Sequence, residues 1–329
     1  MTSSLVSGPV RISVPATSAN LGPAFDCAGL ALELRDVLEA EVMGRGDTAA
    51  AQVSVEGEGA GRVPLAERHL VVRAIRRALD ALDVDPRDGA ELRVHCRNVI
   101  PHGRGMGSSA AAIIGGLALG RALVPEGEHR LPDAELLRLA LELEPHPDNV
   151  AAALLGGCTL AWREDEHDPR SVWAVRMSVH PSVRVAVAIP PAALSTSSAR
   201  RQLPGSVPLA AAAFNSGRSA LLVAALTSDP SLLMPATADR LHQEARRALY
   251  PESMALVDHL RDHGVPAVIS GAGPTVLALS ASPDVPSVDE QSVDERSAGQ
   301  HLSARLRAAC PGDWRVMDLE ISPAGVMRV

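Results

Sequence analysis

Three glycines at alternate positions, Gly103, Gly105 and Gly107, precede two hydroxyl side chains, Ser108 and Ser109. Glycine at every second position lets a backbone approach a ligand closely, because no Cβ stands in the way. A run of alanines follows and predicts the first turn of a helix, whose free N–H groups and dipole attract an anion. The alternative is a plain glycine turn with a serine N-cap. The serine pair, the alanines and the leading proline favour a phosphate-binding loop.

The basic residues limit the chemistry further, because all 31 of them are arginines and the sequence contains no lysine. A P-loop requires Gly-Lys-Ser/Thr, a protein kinase requires a strand lysine against the phosphates, and a pyridoxal phosphate enzyme requires a Schiff-base lysine. The dinucleotide fingerprint is not matched either, since the third glycine comes one residue early. What remains is a loop that binds phosphate through backbone N–H groups and hydroxyls, with arginine or a metal ion supplying positive charge.

Composition narrows the possible partners. The net charge of −8 and the 2% aromatic content argue against binding to nucleic acid or to an anionic membrane surface. The four cysteines are widely scattered, without a Cys-x-x-Cys pair, which is typical of a reducing cytosol. No signal pattern opens the sequence, and no apolar run reaches about 18 residues. We therefore expect a cytoplasmic protein that binds neither nucleic acid nor membrane.

The loop lies between two predicted elements, a strand over residues 90–100 and a helix that starts at Ser108. This order would place the loop at the end of a strand and at the N-terminus of a helix. Near the start of the chain, an alternating strand leads into a polar turn over residues 15–22. Farther along, helical periodicity predicts a helix over residues 236–249.

Strands and helices are mixed without strict alternation, which predicts an α+β fold with two layered domains. A charged, proline-containing segment at residues 163–170 marks the predicted boundary, giving domains at residues 1–165 and 166–329. Residues 282–299 are polar and repeat Ser-Val-Asp-Glu, so we expect a solvated insertion there, followed by a helix over residues 300–309.

Three motifs occur in order, at residues 15–26, 101–112 and 271–275. Together they resemble the GHMP kinases, the family of galactokinase, homoserine kinase, mevalonate kinase and phosphomevalonate kinase. Within that family, the Thr-Ser-Ala-Asn-Leu-Gly turn with its following Phe-Asp is similar to the homoserine kinases. So are the segments at residues 146–151 and 195–200.

The resemblance implies ATP-dependent phosphorylation of the side-chain hydroxyl of L-homoserine, giving O-phospho-L-homoserine and ADP, a step toward threonine. It also implies Mg²⁺ and commonly a homodimer. The implied fold has an N-terminal ATP-binding α+β domain and a C-terminal ferredoxin-like α/β sandwich.

The resemblance also assigns the nucleotide half of the site. Ser109 and Glu144 are the implied Mg²⁺ ligands, with Glu142 as the fallback, and hard oxygen donors of this kind suit Mg²⁺. Glu144 has the alternative of being a solvated helix end. His69 stands near the expected adenine position. The implied ATP-binding residues are Pro101, His102, Gly103, Arg104, Gly105, Met106, Gly107, Ser108, Ser109, Ala110, Ala111 and His69.

The substrate half follows from the same resemblance. Arg200 and Arg246 are placed on the homoserine carboxylate, which a planar guanidinium binds bidentately, although either could be a surface arginine. The amino and hydroxyl groups of the substrate are assigned to three residues that could instead cap turns. These are Asn20, Asp26 and Asn149.

Asp26, Arg200 and Thr196 are the candidate catalytic residues. Asp26 orients the hydroxyl or takes its proton, and we favour orientation, because phosphoryl transfer needs alignment and charge neutralisation more than a strong base. Thr196 orients a neighbouring group or a phosphate.

Three residues depart from the family pattern. Ala24 and Pro145 stand where glycine is common, and His69 stands where asparagine is usual. These departures leave two alternatives open. One is a related kinase acting on another small hydroxylated metabolite, and the other is a non-catalytic sensor that binds ATP or an amino acid.

Overall fold

The computed structural model describes residues 5–45, 51–84, 90–165, 167–168, 170–281 and 295–329. In these residues the chain forms two sheets with helices packed against them. The strands are β1 Val10–Ala19, β2 Ala28–Arg45, β3 Ala51–Gly57, β4 Ala90–Asn98, β5 Cys158–Arg163, β6 Val172–Met177, β7 Val183–Ile189, β8 Ala267–Ile269, β9 Val276–Ala281, β10 Arg315–Leu319 and β11 Met327–Arg328. The helices are α1 Leu70–Ala81, α2 Ser108–Ala122, α3 Gly127–Arg130, α4 Asp133–Leu143, α5 Pro147–Leu155, α6 Thr196–Arg200, α7 Leu209–Thr227, α8 Leu233–Ala236, α9 Pro251–Asp262 and α10 Glu295–Ala309.

The first sheet has the order β11-β1-β2-β4-β3, and β5 extends it by pairing with the start of β2 and with β6. Neighbouring strands are antiparallel except β3 and β4, which are parallel. Helices α2 and α5 pack on β1, and α1 packs on α2. Because α2 lies between the sheet and α1, it is apolar almost all round, with Ile113, Ile114 and Leu117 buried.

The second sheet has the antiparallel order β10-β7-β9-β8. Helices α9 and α10 pack against it, and Met254, Val257 and Leu260 of α9 contribute buried apolar side chains. A four-stranded antiparallel sheet covered by two helices is the α/β sandwich predicted for the C-terminal part. The predicted fold class is therefore confirmed.

Two local predictions are wrong. The polar segment that begins at Pro15 is not a turn throughout, because β1 continues to Ala19 across a β-bulge after Pro15. The helix predicted over residues 236–249 is interrupted. The Asp239 carboxylate accepts hydrogen bonds from the N–H groups of Leu241, His242 and Gln243, so it replaces the helical partners of this segment and turns the chain.

The end of the polar region predicted near the C-terminus is helical. Most of the predicted insertion, residues 282–294, lies outside the described residues, whereas residues 295–299 already belong to α10.

The boundary between residues 165 and 166 stays a prediction. Strands β6 and β11, which follow it in the chain, pair within the first sheet.

Helix α7 is the one helix of the described ranges that is long and apolar enough to cross a membrane by length and mean hydropathy, which is 1.4. Two of its polar side chains form hydrogen bonds with other segments of the chain. Asn215 is buried and donates hydrogen bonds to the Pro23 carbonyl at 3.2 Å and to Asp239 at 2.8 Å. The Ser219 hydroxyl donates to the same carbonyl at 3.0 Å. This face of α7 therefore packs against the turn that follows β1.

The contact between α1 and α2 generates a stability prediction. A Cβ at Gly116 of α2 would lie 2.6 Å from the Val71 carbonyl oxygen and 2.6 Å from Ala74 Cβ, whereas a Cβ at Gly217 of α7 meets nothing within 4 Å. Gly116→Ala should lower the free energy of unfolding by about 1–3 kcal/mol through overpacking. Gly217→Ala should raise it by about 0.5–1 kcal/mol, because alanine favours a helix. Urea denaturation of both variants measures the difference, and effects of the same sign would contradict this packing.

Candidate active site

A cavity lies where β1, the N-termini of α2 and α5, and the second sheet meet. It is lined mainly by turns rather than by regular elements. Most of the residues predicted for the site line this cavity. They are Asn20, Asp26, Gly103, Gly105, Met106, Gly107, Ser108, Ser109, Ala110, Glu144, Asn149, Thr196, Arg200 and Arg246.

Five predicted nucleotide residues do not line the cavity: Pro101, His102, Arg104, Ala111 and His69. The Arg104 guanidinium donates to the carbonyls of residues 102, 190 and 191 and so holds the loop from outside. His69 is the N-cap of α1, is buried beside His102, and has an Nδ1 atom without a hydrogen-bond partner among the described residues. Their assignment to ATP stays a prediction.

The glycine loop, residues 101–107, requires glycine because of its backbone conformation and its close packing. Gly103, Gly105 and Gly107 all have φ between 66° and 75°, in the left-handed region that favours glycine. A Cβ on Gly105 would collide with the Ser270 carbonyl oxygen, and one on Gly107 with the Thr17 hydroxyl. Packing against the protein itself therefore excludes a side chain at Gly105 and Gly107.

Helix α2 begins at Ser108, as predicted. Gly107 is its N-cap residue, and no side chain in the described part of the chain caps this end. The serine N-cap alternative is therefore not what the structure shows. Ser108 and Ser109 instead line the cavity together with the helix N-terminus. Free N–H groups, the helix dipole and two hydroxyls form an environment that suits a phosphate.

Backbone contacts join three turns around the cavity. Thr17 N–H donates to the Met106 carbonyl at 3.1 Å, and Gly271 N–H donates to the Ala19 carbonyl at 3.1 Å. Asn20 Nδ2 donates to the Gly271 carbonyl at 3.0 Å. The turn at residues 20–26, the glycine loop and the turn at residues 270–274 therefore form one continuous wall.

Asp26 and Arg200 form an ion pair across the cavity, with 2.5 Å between Oδ1 and Nη2. Asp26 has a φ of 57°, and its N–H donates to Asn20 Oδ1 at 2.9 Å, which fixes the end of the 20–26 turn. Arg200 Nε has no hydrogen-bond partner among the described residues. The resemblance assigns Asp26 to the amino and hydroxyl groups of the substrate and Arg200 to its carboxylate. In this structure the two side chains neutralise each other's charge.

Arg246 is only 2% exposed, unlike a surface arginine. Its Nε donates to the Ala199 carbonyl at 3.2 Å. The guanidinium carbons of Arg246 and Arg200 lie 5.5 Å and 5.3 Å from the centre of the Phe25 ring. Both guanidinium groups therefore lie within cation–π distance of the Phe25 ring, close to the carboxylate of the neighbouring Asp26.

The predicted metal ligands, Ser109 and Glu144, both line the cavity. Glu144 Oε1 lies 2.5 Å from His146 Nδ1. Glu142, the fallback ligand, is bound to Arg77 at 2.7 Å and does not line the cavity. Among the described residues, no group of three or more His, Cys, Asp or Glu side chains forms a metal site by itself.

Sequence reasoning missed Asp148 as a lining residue, although it lies inside a motif that was singled out. This carboxylate is 2% exposed and accepts hydrogen bonds from the N–H and the Nδ2 of Asn149. Burial, and then the nearby charge of Asp26, raises the pKa of Asp148 to about 7. The 271–273 segment was also omitted from the predicted site, although it belongs to the third motif and lines the cavity.

The residues that depart from the family pattern lie around the cavity rather than in its wall. Pro145 is exposed, and its carbonyl accepts a hydrogen bond from Arg163. Ala24 is buried, and its carbonyl accepts hydrogen bonds from the N–H groups of Cys27 and Ala28, where the 20–26 turn leads into β2.

Two family models match the chain. The model for the GHMP kinases N terminal domain matches residues 69–157, and that for the GHMP kinases C terminal matches residues 220–309. A homoserine kinase from Streptomyces avermitilis is 50% identical over 297 residues, which cover 90% of this chain and 91% of that protein. One from Mycobacterium tuberculosis is 48% identical, covering 83% and 84%. The chain belongs to the GHMP kinase family.

Solved structures agree with this assignment. The crystal structure of homoserine kinase from Cytophaga hutchinsonii superposes with a TM-score of 0.78 at 25% identity, covering 98% of this chain and 97% of that one. A putative homoserine kinase from Listeria monocytogenes gives a TM-score of 0.68 at 28% identity, covering 97% and 99%. Mevalonate diphosphate decarboxylase from Staphylococcus aureus has the same fold at 15% identity, with a TM-score of 0.69 and coverage of 98% of both chains.

Asp36 on β2 holds the entrance to the glycine loop, and no sequence pattern identifies it. Its carboxylate is 4% exposed, and one oxygen, Oδ1, accepts hydrogen bonds from Val99 N–H at 2.6 Å and Ile100 N–H at 3.0 Å. These groups stand where β4 leaves the sheet and the loop begins. Burial raises the pKa of Asp36 to about 6, against the lowering effect of these two bonds.

The hydrogen bonds to Asp36 predict that its substitution changes the free energy of unfolding. Asp36→Ala should lower the free energy of unfolding by about 1–3 kcal/mol, because it leaves buried N–H groups without an acceptor. Asp36→Asn keeps an oxygen there and is the matched control.

The unfolded chain ionises the Asp36 carboxyl near its ordinary pKa of 3.8, while the folded chain keeps the proton until about pH 6. The stability of the wild-type chain relative to Asp36→Asn should therefore fall as the pH rises from about 4 to 6 and stay level above that. Urea titrations at several pH values measure this, and a constant difference would contradict it.

Proposed function

We propose that the chain is a homoserine kinase, which transfers the γ-phosphoryl group of ATP to the side-chain hydroxyl of L-homoserine. The observation that carries the proposal is the placement of two arginines and a carboxylate in the same cavity as the glycine loop. Arg200, Arg246 and Asp26 provide charges that match a small amino acid. Similarity to proteins named homoserine kinase, at 50% identity for one of them, supports the same substrate.

The glycine loop and the N-terminus of α2 hold the triphosphate of ATP in this proposal. The backbone N–H groups of the loop and the hydroxyls of Ser108 and Ser109 take the place that a lysine has in other kinases. His69, the residue expected near the adenine, lies outside the cavity lining and beside His102 of the loop.

The substrate half binds homoserine as a zwitterion. Arg246, with Arg200 beside it, takes the carboxylate through the planar geometry of its guanidinium group. Asn20, Asn149 and Asp26 orient the amino and hydroxyl groups, and Thr196 at the start of α6 orients its neighbours. Binding of the substrate would separate Asp26 from Arg200, so that each charge exchanges one partner for another.

Mg²⁺ is proposed as the cofactor. Ser109 and Glu144 fit it, because both offer hard oxygen atoms to the same cavity, where bound phosphates and water would complete the coordination. When bound, Mg²⁺ neutralises the phosphate charge that builds up during transfer.

The transfer itself requires alignment more than a strong base. The homoserine hydroxyl oxygen forms a bond to the γ-phosphorus as the bond to the ADP oxygen breaks, and the hydroxyl proton is lost late, to solvent. Asp26 keeps this hydroxyl in line. The cytoplasmic location, the homodimer and the absence of nucleic-acid and membrane partners remain proposals.

An assay that couples ADP release to a signal tests the substrate. L-Homoserine with Mg·ATP should release ADP, whereas L-2-aminobutyrate, which lacks the hydroxyl, should not. Turnover of a different hydroxylated amino acid without turnover of homoserine would favour a paralogue with another substrate. ATP binding without any turnover would favour a sensor.

Two glutamates at the end of α4 allow a matched test of the metal site. Glu144→Gln should raise the Mg²⁺ concentration needed for half-maximal activity by about tenfold or more, because it removes a charged ligand. Glu142→Gln, at a residue bound to Arg77 outside the cavity, should leave it unchanged. Activity measured against Mg²⁺ concentration tests this prediction, and equal shifts in both variants would remove Glu144 from the metal site.

A further inference from the structure

We infer that His242 is a positioning residue that holds the carboxylate-binding Arg246 and the 20–26 turn in register for the reaction. The inference rests on the proposed function, because it concerns binding of the homoserine carboxylate. His242 does not line the cavity, and it has no role among the site residues predicted from the sequence. Its ring is 1% exposed and lies between two parts of the site.

The two ring nitrogens of His242 have different partners, and these partners fix the protonation state. Nε2 lies 2.7 Å from the Gly22 carbonyl oxygen, which can only accept a hydrogen bond. Nδ1 lies 3.2 Å from Arg246 Nη1, which can only donate one. Nε2 must therefore carry the proton, and Nδ1 must offer a lone pair. Only the neutral Nε2–H tautomer satisfies both bonds.

The bond at Nδ1 completes the orientation of Arg246. Arg246 Nε already donates to the Ala199 carbonyl at 3.2 Å. A second bond, from Nη1 to the imidazole, fixes the plane of the guanidinium group at the wall of the cavity. Because a bidentate contact with a carboxylate depends on that plane, His242 sets the geometry of substrate binding without touching the substrate.

The bond at Nε2 holds the turn that presents Asp26. Gly22 has a φ of 90°, and a Cβ there would lie 2.6 Å from the Thr237 carbonyl oxygen, so the turn is already pressed against the segment before His242. The imidazole also lies against the Phe25 ring, with 5.1 Å between ring centres. His242 therefore contacts the 20–26 turn at both Gly22 and Phe25.

The position of His242 is itself fixed by its surroundings. Asp239 accepts hydrogen bonds from the backbone N–H groups of His242 and Gln243, and from Asn215 Nδ2 on α7. The carboxylate lies 3.8 Å from His242 Nε2, beyond hydrogen-bond distance. Asp239 therefore holds the backbone at His242, and the buried imidazole binds Gly22 and Arg246 at the same time.

Two amide substitutions separate the two bonds. The side-chain amide of glutamine reaches the position of Nε2, so His242→Gln keeps a donor for Gly22 and loses the acceptor for Arg246. Asparagine ends near the position of Nδ1, so His242→Asn keeps an acceptor for Arg246 and loses the donor for Gly22. We expect His242→Gln to raise the KM for homoserine about tenfold or more with the KM for ATP unchanged. We expect His242→Asn to lower kcat more than it raises that KM.

The measurement is steady-state kinetics of the purified chain and both variants with homoserine and ATP varied separately, with thermal unfolding of each. A double variant adds a further check. If His242 acts through Arg246, then His242→Gln should add little to the KM change caused by Arg246→Gln alone.

Equal effects of the two amides on every constant, or an additive double variant, would mean that His242 only stabilises the fold, and this would overturn the inference. Failure of the wild-type chain to phosphorylate homoserine would instead overturn the proposed function. The two failures are distinguishable, because the first appears only in the ratios of variant to wild-type constants.

Discussion

The Ser270 hydroxyl donates a hydrogen bond of 2.5 Å to the Gly105 carbonyl, at a point where the two backbones approach too closely for a Cβ at residue 105. Ser270 follows the second sheet, and Gly105 lies between the first sheet and α2. This contact therefore joins the two sheets at the place where the phosphates of the proposed nucleotide would lie. The rest of the site depends on it.

The 20–26 turn is attached to the same point. Ser18 and Asn20 bind the 270–271 segment through their side chains, and Asn20 Oδ1 also accepts a hydrogen bond from the Asp26 N–H. The same segment therefore helps to position Asp26. Arg200 and Arg246 approach from the C-terminal half and meet Asp26 and Phe25. A cavity results that has the glycine loop on one side and the charges of Asp26, Arg200 and Arg246 on the other. In the proposed function, the first side holds the phosphates and the second holds the zwitterion. Both parts are required for transfer between ATP and a small amino acid.

The sequence is sufficient to predict the loop, the helix that begins at Ser108 and an α+β fold, because these depend on glycine, proline and hydrophobic periodicity. Most of the other cavity residues are predicted only through the resemblance to the GHMP kinases. The interpretation of the glycines was incomplete, because Gly105 and Gly107 also make room for neighbouring protein atoms. Asp36 and His242 could not be found in this way. Each binds a segment far away in the chain, residues 99–100 for Asp36 and Gly22 for His242, and only the three-dimensional structure brings these together. The helix expected over residues 236–249 failed for a similar reason, since Asp239 binds the backbone N–H groups that a helix would use.

Calorimetric titration of ADP and of L-homoserine into Gly105→Ala and Gly103→Ala tests the central claim most directly. Both residues have a positive φ, so the two variants share the backbone strain, but a Cβ at residue 103 meets its nearest atom, Ala193 Cβ, at 3.4 Å, an ordinary contact. If the contact between Gly105 and Ser270 holds the two halves in register, Gly105→Ala will weaken binding of both ligands. Gly103→Ala will weaken only binding of ADP. Unchanged affinity for homoserine in Gly105→Ala would contradict the account.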